Sequence, residues 1–224
     1  MGRIALGLLL TATAWATASA ALPEYAGPQA QPARTAPAVA VFAGGCFWGV
    51  DAVFKHVKGV SEVVSGYAGG SAVTAKYPIV STGATGHAEA VRITYDPSAI
   101  SYADLLKVFF SVAHDPTERN RQGPDVGTQY RSAIFYADAQ QKEIAQRYID
   151  QLNQSKAFPK PIATEVSALQ QFYPAEAYHQ NYLALHPDQP YIVYNDLPKL
   201  ARLKQEFPAW YRSSPATATA STGK

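Results

Sequence analysis

The chain has 224 residues, 47% of them hydrophobic and only 16% charged, so it can bury a substantial core and is not compositionally disordered. That length suits one domain with appendages. A net charge of +2, with no Lys/Arg run longer than two residues, excludes a nucleic-acid footprint.

In chain order, Met1-Gly2-Arg3 gives a short positive start, "IALGLLLTATAWA" an apolar run, and Ala18-Ser19-Ala20 a small-residue cleavage site. The apolar run is shorter than a membrane span, which needs roughly 20 residues. Residues 1–20 are therefore expected to be a cleaved export signal. The mature protein is expected in the periplasm or secreted, with no stable membrane association. Residues 21–38 are rich in Pro and Ala and predict a flexible extension, and "SSPATATASTGK" at 213–224 predicts a flexible tail. The folded domain is expected over 39–212.

Within it, an apolar strand at 39–44 ends in Gly-Gly. A helix follows from Cys46, with Val50, Val53, Phe54 and Val57 at helical spacing. Strands are expected within 60–70 and 87–96, then a Ser-capped helix at 101–113. A strand at 129–137 leads to a helix at 137–154 whose apolar face is Ile144, Tyr148, Ile149 and Leu152. A strand at 162–168 and shorter helices near 175–185 and 196–206 complete the pattern. This order predicts an α+β fold, a mixed β-sheet with packed helices, and a ferredoxin-like split βαβ core.

Cys46 is the only cysteine. Exported proteins use cysteines in pairs, and one thiol cannot form an internal disulfide. A lone cysteine is commonly buried and inert. Here the export signal and the position between Gly44-Gly45 and a helix favour reactivity. The first turn of a helix offers unpaired N–H groups and the positive end of the dipole, which predicts a stabilised thiolate with a lowered pKa. Phe47 and Trp48 would supply apolar walls beside it.

"TGHAEAVRI" contains half of a zinc-deaminase pattern, but the P-C-x-x-C half is missing, so zinc is rejected. Glu89 is either a solvated strand residue or a general acid whose pKa is raised by apolar surroundings. In "PDVGTQYRSAIFY", Asp125, Thr128, Gln129, Tyr130 and Arg131 form a polar cluster. A capped loop explains most of it, but the Tyr130 phenol could orient a polar oxygen. "YHQNYL" puts Tyr178, His179 and Tyr182 on a short helix, where His179 is either a packed histidine or a site residue.

Taken together and in this order, "GGCFWG", "TGHAEAVRITYDP", "DVGTQYRSAIFY" and "AEAYHQNYL" resemble the peptide methionine sulfoxide reductase A family over roughly residues 39–195. The resemblance implies an α/β roll with a mixed sheet. It implies Cys46 as nucleophile, Phe47 and Trp48 as the pocket for the substrate methyl, and Glu89 as the acid that protonates the sulfoxide oxygen. Tyr77 in "AKYPIV" and Tyr130 would hydrogen-bond that oxygen, Asp125 would support the site, and His179 would join substrate binding. The implied substrate is methionine sulfoxide, free or in proteins, as the S epimer. Thiolate attack would release methionine and leave a sulfenic acid, with no metal and no bound cofactor. The chain departs from many relatives in having no C-terminal cysteine and in carrying Val80 where some have one. Recycling must therefore use an external thiol: a thioredoxin-like protein, glutaredoxin or glutathione. The enzyme is expected to be a monomer. Two other readings remain open on the residues alone, a Cys46–His179 hydrolase or acyltransferase and a peptide-binding module built on Phe47 and Trp48.

Overall fold

The computed structural model describes residues 21–28 and 36–216. The expected export segment lies outside them, as do residues 29–35 and 217–224 of the expected extension and tail. The strands are β1 (Ala38–Gly44), β2 (Val60–Ala68), β3 (Ala88–Tyr95), β4 (Arg121–Gln122), β5 (Asp125–Val126), β6 (Ser132–Tyr136), β7 (Glu165–Ala168) and β8 (Phe172–Pro174). The α-helices are α1 (Phe47–Lys55), α2 (Tyr77–Val80), α3 (Tyr102–Val108), α4 (Ala139–Gln154), α5 (Tyr182–Leu185) and α6 (Leu197–Glu206).

Six strands form one sheet in the order β7-β6-β1-β3-β2-β8, and β4 and β5 make a separate small hairpin. β1 runs antiparallel to β3 and β6, β2 antiparallel to β3 and β8, and β6 parallel to β7. The sheet is therefore mixed, as expected for the α+β class.

Side chains alternate across the sheet, as strand geometry requires. Phe42, Val63, Tyr67, Val91 and Ile93 face the main core, shared with Phe54, Leu105, Phe109 and Leu106 from the helices. The opposite face carries mostly small residues, Ala43, Ala68, Ala88, Ala90 and Ala133, with Phe135 and Phe172. Two-residue periodicity puts Glu89 on the same face as Val91 and Ile93, the helix side.

The break between β1 and α1 depends on Gly45. Its φ is +85, and a Cβ there would lie 2.6 Å from Gln122 Cβ. Nearly all of α1 is buried, including an Asp51–Lys55 ion pair of 2.7 Å whose side chains are each 4% exposed. Lys55 also donates to Asn181 Oδ1 at 2.8 Å, which ties the segment before α5 to α1. The Ser101 cap is realised as a reciprocal capping box with Asp104.

Several elements differ from expectation. The strand expected at 129–137 is regular only over Ser132–Tyr136, because Thr128–Tyr130 is a single 3₁₀ turn. The helix expected at 101–113 changes to π geometry over Phe109–Ala113. The helix expected near 175–185 is a 3₁₀ turn, Ala177–His179, and the short α5, separated by left-handed Asn181 with φ 57. Part of the expected flexible extension is held down. Tyr25 is 8% exposed and stands edge-on to Tyr148, whose hydroxyl donates to Pro23 O at 2.7 Å. Ala26 and Glu24 exchange hydrogen bonds with Gln151 at 2.9 and 2.6 Å. Composition signals low intrinsic order, but one buried aromatic together with these three hydrogen bonds overrides it locally. Of the expected tail, Ala216 also packs, 3% exposed with its N–H on Lys55 O at 2.8 Å, while residues 213–215 are exposed.

Candidate active site

Cys46 is the N-cap of α1, at the strand-to-helix junction. The next residue, Phe47, donates its backbone N–H to Glu89 Oε2 at 3.1 Å. Because Glu89 lies on central β3 and faces the helix side, the carboxyl meets the first turn of α1 beside the thiol. Glu89 is 2% exposed, and burial pushes its pKa up to about 8, with the Phe47 N–H opposing and Asp125 adding to the rise. At neutral pH this acid keeps its proton.

The thiol corrects the expectation of a lowered pKa. Cys46 is 8% exposed, and burial pushes its pKa well above that of a free thiol, with Glu89 and Asp196 adding to the rise. The Trp48 N–H and Lys199 pull it down by less. The helix N-terminus is present as expected. Its effect is outweighed by desolvation: Tyr191 and Asp196 stand close to the buried thiol, and Tyr182 covers the neighbouring Trp48.

That cover is visible in the contacts of Trp48. Tyr182 stacks on the indole at 3.7 Å with a 6° interplanar angle, and Tyr191 approaches edge-on at 6.0 Å. The Tyr191 hydroxyl donates to Asp125 Oδ2. The indole N–H donates to His179 Nδ1 at 3.2 Å. Phe47 is 1% exposed and packs on Tyr67 and His179, so it belongs to the core as much as to a pocket wall.

His179 is 2% exposed, and burial lowers its pKa while Glu176 opposes. The indole can only donate, so Nδ1 is the acceptor and Nε2 carries the ring hydrogen. That Nε2 is buried and has no hydrogen-bond partner in the structure. Nδ1 is already engaged, which disfavours His179 as the base of a Cys–His dyad.

Tyr77 and Tyr130 come to the same place from separate segments. The Tyr77 ring lies 4.4 Å from the His179 ring. Burial raises both phenols, and Glu89, Cys46 and Asp125 act on both in the same direction. Their segments are laced together: Gln129 donates to Ser81 O at 3.1 Å and Thr128 to Gly83 O at 2.6 Å. Gly127, at φ +146, leaves room for the Gln129 amide, which a Cβ would meet at 2.2 Å.

Sequence reasoning missed Glu176. Its carboxylate accepts from Tyr77 N at 2.9 Å and from Tyr67 Oη at 2.8 Å, fixing the start of α2. Burial would raise its pKa, but hydrogen bonds from the Tyr77 N–H and Tyr67 prevail and lower it. It stands within "AEAYHQNYL", where its signal was only a carboxylate beside aromatics. Asp196 and Lys199 were missed as well. They sit at i, i+3 spacing, and nothing local links them to Cys46. His87, the other histidine of "TGHAE", is structural: Nδ1 accepts from Gly70 N at 3.2 Å and Nε2 meets Ser71 O at 3.0 Å. Among the described residues there is no group of three or more His, Cys, Asp or Glu arranged for a metal, and no helix long and apolar enough to cross a membrane.

The structure thus brings Cys46, Phe47, Trp48, Glu89, Tyr77, Tyr130, Asp125 and His179 to one locus. The profile of the family described as peptide methionine sulfoxide reductase matches residues 38–210. A peptide methionine sulfoxide reductase MsrA 2 of Mesorhizobium japonicum is 62% identical over 176 residues, which is 79% of this chain and 90% of that protein. The MsrA of Thermus thermophilus is 49% identical over 174 residues, 78% of this chain and 97% of its own length. Among solved structures, reduced Mxr1 of Saccharomyces cerevisiae superposes with a TM-score of 0.61 at 33% identity, covering 72% of this chain and 91% of that one. Methionine sulfoxide reductase A of Corynebacterium diphtheriae gives 0.59 at 35% identity, covering 69% and 77%. Matched over most of its folded length by both profile and relatives, the chain belongs to the peptide methionine sulfoxide reductase family.

Proposed function

We propose that this oxidoreductase reduces the S epimer of methionine sulfoxide by a sulfenic-acid route centred on Cys46. Family membership makes methionine sulfoxide reduction, a protein-repair activity, its reaction. The finer steps are our reading. The observation that carries it is the buried Glu89 carboxyl, held by the Phe47 N–H at 3.1 Å and keeping its proton up to about pH 8. A protonated acid beside a thiol is what sulfoxide reduction needs. Cys46 gives up its proton and attacks the sulfoxide sulfur as a thiolate, forming an S–S bond. Glu89 protonates the oxygen, which stays on that sulfur as a hydroxyl, while Tyr77 and Tyr130 hydrogen-bond it. The hydroxyl then passes to Cys46 Sγ as the S–S bond breaks, so methionine departs and Cys46 holds the oxygen as a sulfenic acid. His179 holds the Trp48 indole, and Asp125 holds Tyr191 over the site.

With one cysteine in the chain, regeneration uses an external thiol, either a thioredoxin-like protein, glutaredoxin or glutathione. No bound cofactor enters the scheme, and the enzyme acts as a monomer. Export to the periplasm or beyond is supported by the sequence of residues 1–20. We also retain the ferredoxin-like description of the core. It is supported by the βαββαβ succession β1-α1-β2-β3-α3-β6 and the spatial order β6-β1-β3-β2.

Mass spectrometry after one turnover without reductant tests this. One equivalent of methionine from the S epimer should accompany one added oxygen on the protein. Turnover by Cys46→Ser, or a product without added oxygen, would overturn it.

A further inference from the structure

Cys46 lies between two different environments. Glu89, Tyr77 and Tyr130 make up one. The other is a cleft of about 570 Å³ whose lining includes Cys46, His114, Gln122, Asp125, Tyr191 and Lys199, but neither Glu89 nor Tyr77 nor Tyr130; Asp125 is common to both. This volume falls within the range of sites that enclose small molecules, ~300–1,000 Å³.

The cleft has a fixed cation. Lys199 Nζ is 3.1 Å from Asp196 Oδ1, with the lysine side chain 21% exposed and the aspartate 0%. The pair is seated against the first turn of α1. A Cβ at Gly49 would lie 2.1 Å from Asp196 Oδ1 and 2.7 Å from Lys199 Nζ. Gly49 therefore lets the ion pair approach the turn that begins at Cys46. An ammonium has three donors, of which Asp196 takes one. The other charged groups of the cleft are engaged elsewhere: Glu118 accepts from Gly123 N, Asp115 from Thr117 N and Asp125 from the Tyr191 hydroxyl, and Arg202 donates to Ser111 O and Glu206.

Displacement at sulfur adds a directional requirement. A thiolate attacking a sulfenic acid forms an S–S bond as the S–O bond breaks, with nucleophile, sulfur and leaving oxygen close to a line. The oxygen is deposited on the side where Glu89, Tyr77 and Tyr130 held it. The incoming thiolate must then arrive from the opposite side.

We propose that a low-molecular-weight thiol reaches Cys46 through this cleft, with Lys199 positioning its thiolate and Asp196 fixing Lys199. The proposal rests on the sulfenic-acid reading above. The step balances as Cys46–SOH plus RS⁻ plus a proton from Glu89, giving Cys46–S–SR plus water. A second thiolate attacks the outer sulfur of the mixed disulfide, the one that came from the first thiol, forming RS–SR and releasing the Cys46 thiolate.

The test separates the two half-reactions. Enzyme is oxidised with one equivalent of a methyl sulfoxide, then mixed with glutathione or 2-mercaptoethanol while loss of the sulfenic acid is followed. Pro159→Trp, at the exposed mouth of the cleft, should leave the sulfoxide burst within about twofold and slow regeneration about tenfold, the effect of losing one good polar contact or its access. Lys199→Met should slow regeneration by about the same factor and abolish its salt dependence, and Lys199→Arg should restore both. Equal slowing of both half-reactions by Pro159→Trp would mean one shared entrance and overturn the proposal. So would regeneration unchanged in Pro159→Trp and Lys199→Met alike. Regeneration by reduced thioredoxin that slows less than that by glutathione marks the cleft as a small-thiol route, and the reverse order overturns that assignment. Absence of a burst or of sulfenic acid in the unsubstituted enzyme would instead refute the underlying mechanism.

Discussion

Replacing Glu89 with glutamine tests the acid directly, because the amide oxygen can still accept from the Phe47 N–H while the group can no longer give up a proton. The carboxyl is buried, and its pKa of about 8 against an ordinary 4.5 means that ionising it in place costs on the order of 5 kcal/mol. The native state thus binds one more proton than the unfolded chain between those two values. Stability should fall as pH rises from about 4.5 to 8, the reverse of a salt-bridged carboxylate. In Glu89→Gln this slope should flatten, and urea unfolding at pH 5 and pH 8 reads it out. Removing the proton donor should also lower the single-turnover rate by ~10²–10⁴-fold with substrate still bound. The unsubstituted enzyme should lose rate above about pH 8, as Glu89 ionises, and the variant should lack that limb. A Glu89→Gln enzyme with near-normal turnover and an unchanged alkaline limb would remove Glu89 from the chemistry.

Three further outcomes are expected. Alkylation of Cys46 by iodoacetamide in the absence of substrate should have a pH midpoint above the ~8.5 of a free thiol, and a midpoint below it would show that the helix terminus outweighs burial. Lys55→Met leaves Asp51 buried without its cation and should cost ~3–5 kcal/mol in chemical denaturation. Adding Asp51→Leu should recover most of that loss, and no recovery would mean the lysine acts through packing alone. Gly49→Ala places a methyl against Asp196 and should destabilise by ~1–3 kcal/mol, read as a lowered melting temperature; an unchanged melting temperature would show that the ion pair is free to move.

The strands and long helices were legible because their apolar periodicity survives in one dimension. α4 shows this best, with Ile144, Tyr148, Ile149 and Leu152 buried as one face. The proposed nucleophile and acid drew attention through residue type and position, Cys46 after a glycine pair and Glu89 within an apolar strand. Other parts were too short to leave a period. α2 has four residues with a proline in its first turn, and β8 has three, yet they carry or frame Tyr77 and Glu176. Resemblance rather than periodicity pointed to Tyr77. The sign of the Cys46 shift failed for a different reason. Local reasoning sees the dipole of α1, but the thiol is buried by tertiary packing that includes Tyr191, more than a hundred residues downstream. Asp196 and Lys199 were invisible for the same cause, since their partner on α1 is a glycine with no side chain to suggest a contact.

The raised pKa of the buried Cys46 thiol also bears on how this enzyme survives its own circumstances. Methionine sulfoxide forms where peroxide and related oxidants are abundant, and those oxidants attack accessible thiolates first. A thiol that is 8% exposed and held protonated is a poor target for peroxide. Irreversible conversion to sulfinic or sulfonic acid is thereby held off until a sulfoxide is at hand. With one cysteine per chain, there is no internal disulfide in which the sulfur could shelter. Because the cleft still reaches Cys46, the held proton rather than closure takes over that protective duty, so raising the pH toward the thiol's own pKa should make the resting enzyme lose activity to hydrogen peroxide faster.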